Sequence, residues 1–163
     1  MTDHRKPYRV LFVCMGNICR SPAAEIVFRK LVLDEGLDER IEIDSAGTIG
    51  YHAGNPPDSR MSATLESRGY EITGNSRKLI HRDLDDFDLI LVADDDNLHD
   101  VHRLDAENKH RHKIKLITHF CVEKSASHVP DPYYGGPGGF EEVADLVVDA
   151  SNGLLDFLRK NEL

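Results

Sequence analysis

Short apolar segments alternate with longer segments of helical periodicity along this chain, and this alternation limits the possible folds more than any other feature. The predicted strands are short, apolar and rich in β-branched residues, or alternate in polarity. They cover residues 8–13, 41–44, 88–93 and 113–117. Predicted helices cover residues 22–35, 58–68, 95–104 and 140–158, with one more helical turn at 83–87. Such alternation predicts an α/β fold with a parallel sheet and helices on both of its faces.

The length and charge of the chain exclude several other classes of protein. At 163 residues it fits one domain, so we predict a single three-layer domain over residues 1–163, with a flexible N-terminus at 1–7. No apolar run approaches the ~18 residues of a membrane helix, and the first residues lack the apolar segment of a signal peptide. A net charge of −9 disfavours nucleic-acid binding, which needs a basic surface. We therefore expect neither a membrane nor a nucleic acid as a partner.

The three cysteines, Cys14, Cys19 and Cys121, are an odd number, which favours free thiols and a cytoplasmic location over a disulfide framework. Neither their spacing nor that of the histidines is typical of a zinc site. The acidic run at residues 94–96 is explained by the start of a helix, where negative charge is stabilised by the helix dipole. We therefore expect no metal and no cofactor.

The segment that follows the first predicted strand, residues 14–22, reads CMGNICRSP and carries the chemistry. In parallel sheets ligands bind beyond the carboxyl ends of the strands. Gly16 and Asn17 tolerate the positive φ that lets successive N–H groups converge on an anion, and the planar guanidinium of Arg20 can bind two phosphate oxygens. Cys14 would lie beneath that phosphate, in a field that favours the nucleophilic thiolate. The Cys-x5-Arg spacing therefore indicates phosphate transfer.

Ser21 and Pro22 predict the start of the first helix, with Ser21 as the N-cap and Pro22 at the first helical position. The Ser21 hydroxyl is also placed to donate a hydrogen bond to the Cys14 thiolate and hold it ionised. The sequence leaves both roles open. Gly36 is expected to end this helix.

Residues 10–25, VLFVCMGNICRSPAAE, closely resemble the low-molecular-weight protein tyrosine phosphatases. The similarity extends to residues 44–48, 55–60, 76–77, 83–90 and 129–135, and so spans nearly the whole chain. It implies a four-stranded parallel sheet flanked by helices, with a phosphate-binding loop after the first strand. It also implies hydrolysis of phosphotyrosine and aryl phosphate monoesters through a cysteinyl-phosphate, without metal or cofactor. Phosphotyrosine-containing proteins are the implied substrates, and inorganic phosphate is the implied product.

The resemblance also implies roles for individual residues. Cys14 corresponds to the nucleophile, Arg20 to the residue that binds phosphate and stabilises the transition state, and Asp131 to the general acid and later base. Asn17 is expected to hold the loop in a left-handed turn, with Ser45 as its supporting partner. Substrate-binding residues are predicted at Met15, Gly16, Asn17, Ile18, Cys19, Ser21, Tyr51, Tyr133 and Tyr134. The tyrosines are either aromatic walls of the pocket or half-buried loop residues.

Three other functions are less compatible with the sequence. The related arginine phosphatases have Thr where this chain has Ile18, which favours phosphotyrosine. Thioredoxin-coupled arsenate reductases need two further cysteines in the middle of the chain, and none lies between Cys19 and Cys121. Sugar-transport phosphocarrier domains also phosphorylate a cysteine after the first strand, but they lack an equivalent of Arg20 and of the separate acid Asp131.

The chain departs from the family pattern at two places. Gly74 stands where many members have a histidine that supports the phosphate-binding loop, and Ala93 stands where the family has Met before Asp94. The first departure puts the rigidity of the loop in question. Cys19 either forms a protective disulfide with Cys14 or packs as a small side chain.

Overall fold

The computed structural model describes residues 6–134, 136 and 138–163, without the side chain of Tyr134. Most of the predicted flexible N-terminus, residues 1–7, lies outside this range. The elements in chain order are β1 Tyr8–Cys14, α1 Arg20–Asp34, β2 Ile41–Gly47, α2 Ser59–Ser67, α3 His81–Asp86, β3 Leu89–Val92, α4 Asp95–Leu104, β4 Ile114–Leu116 and α5 Gly139–Asn161. Short 3-10 turns occur at Arg111–Lys113, Ile117–Phe120 and Pro132–Tyr134.

The predicted alternation of strands and helices is confirmed, with differences at the ends of the elements. β2 is longer than predicted and continues to Gly47, whereas β4 is confined to three residues. The predicted turn at 83–87 is the short helix α3. Among the helices described, none combines the length and hydrophobicity needed to cross a membrane.

All four strands are parallel, in the order β2-β1-β3-β4. β1 pairs with β2 over its whole length and with β3 from Val10 to Val13. The chain therefore crosses from β1 first to one side of the sheet and then to the other. At such a switch point the carboxyl ends of the two central strands border a crevice, and the loop after β1 lies there.

Side chains of β1 alternate between two cores, because both faces of this central strand are covered by helices. Val10, Phe12 and Cys14 belong to the larger core, which is completed by α1, α2 and α5. Leu11 and Val13 belong to the smaller core, which includes residues of α3 and α4. Cys14 is the last residue of the strand, so its thiol is held by the larger core at the carboxyl edge of the sheet.

The N-terminus of α1 corrects one prediction. Ser21 is not the N-cap, because the helix begins at Arg20, Cys19 is the N-cap residue, and no side chain caps this end. Pro22 is accordingly the third helical residue, still within the turn whose N–H groups lack partners inside the helix. This end of α1 faces the loop after β1 and leaves its N–H groups to an anion. At the other end Gly36, with φ of 70°, follows the last turn as predicted.

Candidate active site

The loop between β1 and α1, residues 15–19, is held by hydrogen bonds to its carbonyl groups. The carbonyl of Met15 accepts from the N–H of Ile49 (3.1 Å), and that of Ile18 accepts from the N–H of Asp58 (2.8 Å). Within the described residues, the N–H groups of 15–19 donate to no protein acceptor. The carbonyl groups of the loop are thus bonded to neighbouring segments, while its N–H groups remain available. Successive available N–H groups of this kind form a concave binding site for an anion.

Asn17 fixes the conformation of this loop. It has φ of 56°, the left-handed conformation expected from the sequence, and is 2 % exposed. Its Nδ2 donates to Ser21 Oγ (2.7 Å) and to Ser45 Oγ (3.0 Å), while its Oδ1 accepts from the N–H of Arg77 (3.0 Å). The side chain of Asn17 therefore lies behind the loop, attached to α1, β2 and the segment before α3.

The hydrogen bonds around Ser21 decide which way its hydroxyl points. Ser21 Oγ lies 3.0 Å from Cys14 Sγ, and it already accepts a hydrogen bond from Asn17. Because an amide nitrogen can only donate, the Ser21 proton is left for the cysteine sulfur. Of the two roles left open by the sequence, the structure therefore shows the hydrogen bond to Cys14 rather than the cap of α1.

Ser45 continues the same network to the surface. Its hydroxyl accepts from Asn17 and donates to Glu25 Oε1 at 2.6 Å. Glu25 in turn accepts from Arg29 Nη2 at 2.6 Å. Because Asn17 Nδ2 donates to both hydroxyl oxygens, the proton of Ser45 points to Glu25 and that of Ser21 points to Cys14. Sequence reasoning missed Glu25, although it lies on α1 where its side chain faces β2.

Arg20 is almost fully buried and held on two sides. Its Nη1 donates to Asp94 Oδ2 at 2.6 Å and to the carbonyl of Val129 at 3.1 Å. Burial alone would lower the pKa of this guanidinium, but the negative charges of Cys14 and Asp94 outweigh it and raise that pKa above its ordinary value. Arg20 is therefore a fixed cation at the edge of the pocket.

Asp94 binds Arg20, whereas its place in the sequence is explained by the acidic start of a helix. Its Oδ1 accepts from the N–H of Asn97 (2.9 Å) and caps α4, while its Oδ2 binds Arg20. Its place directly after a predicted strand is a partial signal, whereas the position of that strand beside β1 comes only from the structure. The carboxyl ends of neighbouring parallel strands meet at one edge of the sheet.

Asp131 lies beside Arg20 in the pocket. Its Oδ2 lies 4.0 Å from Arg20 Nη2, and its Oδ1 accepts from the N–H of Tyr133 at 3.0 Å. The structure thus brings the three predicted catalytic residues to one pocket of about 280 Å³. The lining residues are Cys14, Met15, Gly16, Ile18, Cys19, Arg20, Tyr51, His52, Asp131 and Tyr133.

The pocket wall agrees only partly with the predicted substrate-binding residues. Tyr51 and Tyr133 both line it. Tyr51 is 83 % exposed, whereas Tyr133 is 53 % exposed and is thus both half-buried and part of the wall. The side chains of Asn17 and Ser21 are not part of the wall, because both are buried beneath the loop that they support. Tyr134 was also predicted to line the pocket, but its side chain is outside the part of the chain that the structure describes.

His52 lines the pocket and was not predicted. A Cβ at Gly16 would lie 3.0 Å from His52 Cδ2, so the imidazole covers the loop closely and glycine leaves room for it. The ring stacks edge-on against Tyr51, with 4.9 Å between ring centroids. The sequence could not predict this position, because His52 lies in a loop and belongs to no recognisable motif.

Support for the loop does not depend on a histidine at position 74. Gly74 has φ of 93°, and Ser76 donates from its Oγ to the carbonyl of Gly16 at 3.1 Å. A Cβ at Gly47 would lie 2.7 Å from the Met15 carbonyl oxygen, so only glycine lets the end of β2 approach the loop. Hydrogen bonds and close packing from two neighbouring segments therefore hold the loop.

All three cysteines are free thiols. Burial, reinforced by the charge of Asp58, raises the pKa of Cys19 to about 12. Burial also raises the pKa of Cys121 to about 11. Cys19 and Cys121 are therefore protonated at neutral pH. Of the two alternatives left open for Cys19, a disulfide with Cys14 or a packed side chain, this structure has the packed, buried thiol.

Comparison with known proteins gives consistent results. The sequence profile of the family described as low molecular weight phosphotyrosine protein phosphatase matches residues 9–163. A low molecular weight protein-tyrosine-phosphatase of Streptomyces coelicolor is 43% identical over 155 residues, which is 94% of each chain.

Solved structures show the same similarity in three dimensions. A protein tyrosine phosphatase from Entamoeba histolytica, crystallised with Hepes in its active site, has a TM-score of 0.91 and 41% identity, covering 96% of this chain and 99% of that one. A Drosophila arginine phosphatase has a TM-score of 0.85 and 29% identity, covering 94% and 99%. The fold is therefore shared with enzymes of two named specificities.

Proposed function

The chain belongs to the low molecular weight phosphotyrosine protein phosphatase family and is a protein tyrosine phosphatase. From this premise we propose that it hydrolyses phosphotyrosine and aryl phosphate monoesters through a cysteinyl-phosphate, with Asp131 as general acid and base. One observation carries the proposal. Among the described residues, the N–H groups of 15–19 have no protein acceptor, and Cys14, Arg20 and Asp131 line the pocket that this loop borders.

The first step forms the bond between sulfur and phosphorus. The N–H groups of residues 15–19 and the Arg20 guanidinium bind the three non-bridging oxygens, on which charge is spread in the transition state. The Cys14 thiolate, held by the Ser21 hydroxyl, attacks phosphorus from the pocket floor. The bond from phosphorus to the phenolic oxygen breaks, and Asp131 gives its proton to that oxygen.

The second step regenerates the thiolate. Asp131, now ionised, accepts a proton from a water molecule that attacks phosphorus. The bond between sulfur and phosphorus breaks, and inorganic phosphate leaves the pocket. Asp131 keeps that proton, so the carboxyl and the thiolate return to their starting states.

An aromatic substrate is favoured by the walls of the pocket. Ile18 contributes an apolar surface, and Tyr51 and Tyr133 offer ring faces on which a phenyl group can stack. Met15 and Ile49 are also large apolar residues exposed in this region, at 44 % and 42 %. A phenolic stem is long enough to bring its phosphorus to the floor of the pocket, and its ring would contact these side chains.

Phosphoarginine is the second candidate substrate, because a Drosophila arginine phosphatase shares the fold. Its guanidino group would need polar partners in the wall, whereas Ile18 offers none. A phosphotyrosine peptide should therefore be hydrolysed much faster than free phosphoarginine. The opposite order of kcat/KM would reassign the substrate class.

The deciding experiment is turnover of p-nitrophenyl phosphate in the presence of EDTA. The wild type should be active, and Cys14→Ser should be inactive while still binding vanadate, because the N–H groups and Arg20 are unchanged. Substantial turnover by Cys14→Ser would remove Cys14 as the nucleophile. Activity that is lost with EDTA and restored by a metal ion would contradict the proposed mechanism.

The proposed partners are phosphotyrosine-containing proteins, with inorganic phosphate as the product. Neither a membrane nor a nucleic acid is proposed as a partner, in keeping with the net charge of −9. A cytoplasmic location stays a prediction, which is supported by three thiols that form no disulfide.

A further inference from the structure

Arg60, which the mechanism above does not use, lies between two aromatic rings near the general acid. It belongs to the first turn of α2. Its guanidinium carbon is 4.7 Å from the ring centroid of Tyr133 and 4.9 Å from that of Phe140. A guanidinium over a ring face at these distances is attracted by the ring quadrupole. One side chain of α2 thus contacts both Tyr133, two residues after Asp131, and Phe140 in the first turn of α5.

Asp58 holds the Arg60 guanidinium in place. Its Oδ2 accepts from Arg60 Nη2 at 3.2 Å and its Oδ1 accepts from Nε at 3.4 Å. The same carboxylate caps α2, since Oδ1 also accepts from the N–H groups of Arg60 and Met61. The N–H of Asp58 donates to the carbonyl of Ile18 at 2.8 Å. Arg60 is therefore connected to the 15–19 loop through a single residue.

Tyr133 connects the other side of Arg60 to the general acid. Its N–H donates to Asp131 Oδ1 at 3.0 Å, so the position of the carboxylate follows that of the Tyr133 backbone. Among the described residues, the other polar contact of this carboxylate is Arg20 Nη2, at 4.0 Å. Asp131 therefore depends strongly on the placement of Tyr133.

We propose that Arg60 is a positioning residue for the general acid: held by Asp58 and stacked on Tyr133 and Phe140, it fixes Asp131 relative to the 15–19 loop. The inference rests on the proposed role of Asp131. A general acid must lie within hydrogen-bond reach of the departing oxygen, so small displacements reduce proton transfer first. Arg60 acts through contact, because Asp58 balances its charge.

The experiment compares two substrates that differ in their need for a proton. The leaving group of phenyl phosphate needs protonation, whereas that of p-nitrophenyl phosphate needs little. Arg60→Leu should lower kcat/KM for phenyl phosphate roughly tenfold more than for p-nitrophenyl phosphate. Its inhibition constant for inorganic phosphate should stay unchanged, because the residues that bind the anion are untouched.

Two variants serve as controls for this selectivity. Phe140→Leu removes one ring and should give a smaller effect of the same kind. Arg68→Leu is the matched control, because Arg68, directly after α2, joins the end of that helix to α5 through Glu141 and Asp145, and the structure gives it no contact with Tyr133. It should affect both substrates equally. If Arg60→Leu does not fold, Arg60→Lys replaces it, since lysine cannot reproduce the planar contact and should show the same selectivity more weakly.

The Asp131→Asn variant separates failure of this inference from failure of the proposed function. If Asp131→Asn slows the two substrates unequally and the Arg60 variants slow them equally or not at all, the role of Arg60 is overturned alone. If Asp131→Asn slows both equally, the general-acid assignment is wrong and the inference about Arg60 falls with it. In the Asp131→Asn background, Arg60→Leu should add no further selectivity.

Discussion

Replacing Asp94 by asparagine removes one acceptor from a residue that uses two. Asp94 Oδ1 caps α4 through the N–H of Asn97, and its Oδ2 accepts from Arg20 at 2.6 Å. Asparagine has one oxygen, so it can keep either the cap or the bond to Arg20, and its NH₂ group would face the other donor. In either orientation the variant loses the negative charge beside Arg20, because asparagine is neutral. A hydrogen bond between charged groups is worth about 1.5–3 kcal/mol, and we take this as the upper range of the loss at Arg20.

The loss converts into a measurable change in catalysis. At about 1.4 kcal/mol per factor of ten, 1.5–3 kcal/mol corresponds to a decrease of roughly 10- to 150-fold in kcat/KM. The bond of Arg20 to the Val129 carbonyl remains and keeps the expected effect in the lower part of this range. The inhibition constant for inorganic phosphate should rise in parallel, because the same Arg20 guanidinium binds the phosphate oxygens of the substrate and of the inhibitor.

The assay is steady-state hydrolysis of p-nitrophenyl phosphate, together with thermal unfolding of each variant. Asp95→Asn is the control, since it makes the same change of charge at the next, exposed residue, which has no contact with Arg20. It should leave kcat/KM within about twofold of the wild type. Asp94→Asn with activity equal to this control would refute the reasoning and show that the loop and the Val129 carbonyl orient Arg20 alone.

Three further predictions concern charge and protonation. Arg20→Lys should lower kcat at least about 100-fold, because an ammonium group cannot reproduce the two-pronged contact with phosphate; retention of most activity would reduce Arg20 to a general positive charge. Iodoacetate at pH 7 should alkylate Cys14 far faster than the other two cysteines, since burial raises the pKa of Cys19 to about 12 and that of Cys121 to about 11; peptide mapping with equal labelling of Cys19 would contradict this. Asp149→Asn should lower the free energy of unfolding by about 2 kcal/mol at pH 7, because its carboxylate accepts from the three backbone N–H groups that follow Cys121. Burial would raise the pKa of Asp149, but these bonds outweigh it and lower that pKa, so the stabilisation is present above the ordinary pKa and is lost as pH falls through the lowered one. Chemical unfolding of both proteins should therefore show the difference shrink below about pH 4, and a constant difference would count against it.

Local rules were enough for most of the elements. The apolar run of β1 marks a strand covered on both faces, and Gly36 ends α1 in a left-handed conformation that favours glycine. The loop after β1 was also readable, because Gly16 and Asn17 suit its backbone and the Cys-x5-Arg spacing suits a phosphate. Each of these features depends on residues that are close together in the chain.

The sequence left the role of Ser21 open, because capping depends on neighbouring residues whereas the hydrogen bond to Cys14 depends on a contact that is distant in the chain. Its hydroxyl is bonded by Asn17, which in turn is held by Ser45 of β2. A sequence pattern cannot show that an oxygen already has a donor. The direction of the Ser21 proton, and so its bond to Cys14, follows only once β2 lies beside β1.

By itself, the sequence therefore determined the strands and helices, the anion-binding loop and, through its resemblance to a family, the candidates Cys14, Arg20 and Asp131. Only the tertiary structure decided which residues lie around them: Asp94 beside Arg20, His52 above Gly16, and Arg60 beside Tyr133. His52 and Arg60 are placed by contacts between segments far apart in the chain, and Asp94 is placed by the strand order β2-β1-β3-β4. It brings the carboxyl ends of β1 and β3 together at one edge, and hydropathy patterns record which face of a strand is buried but not which strand lies next to it.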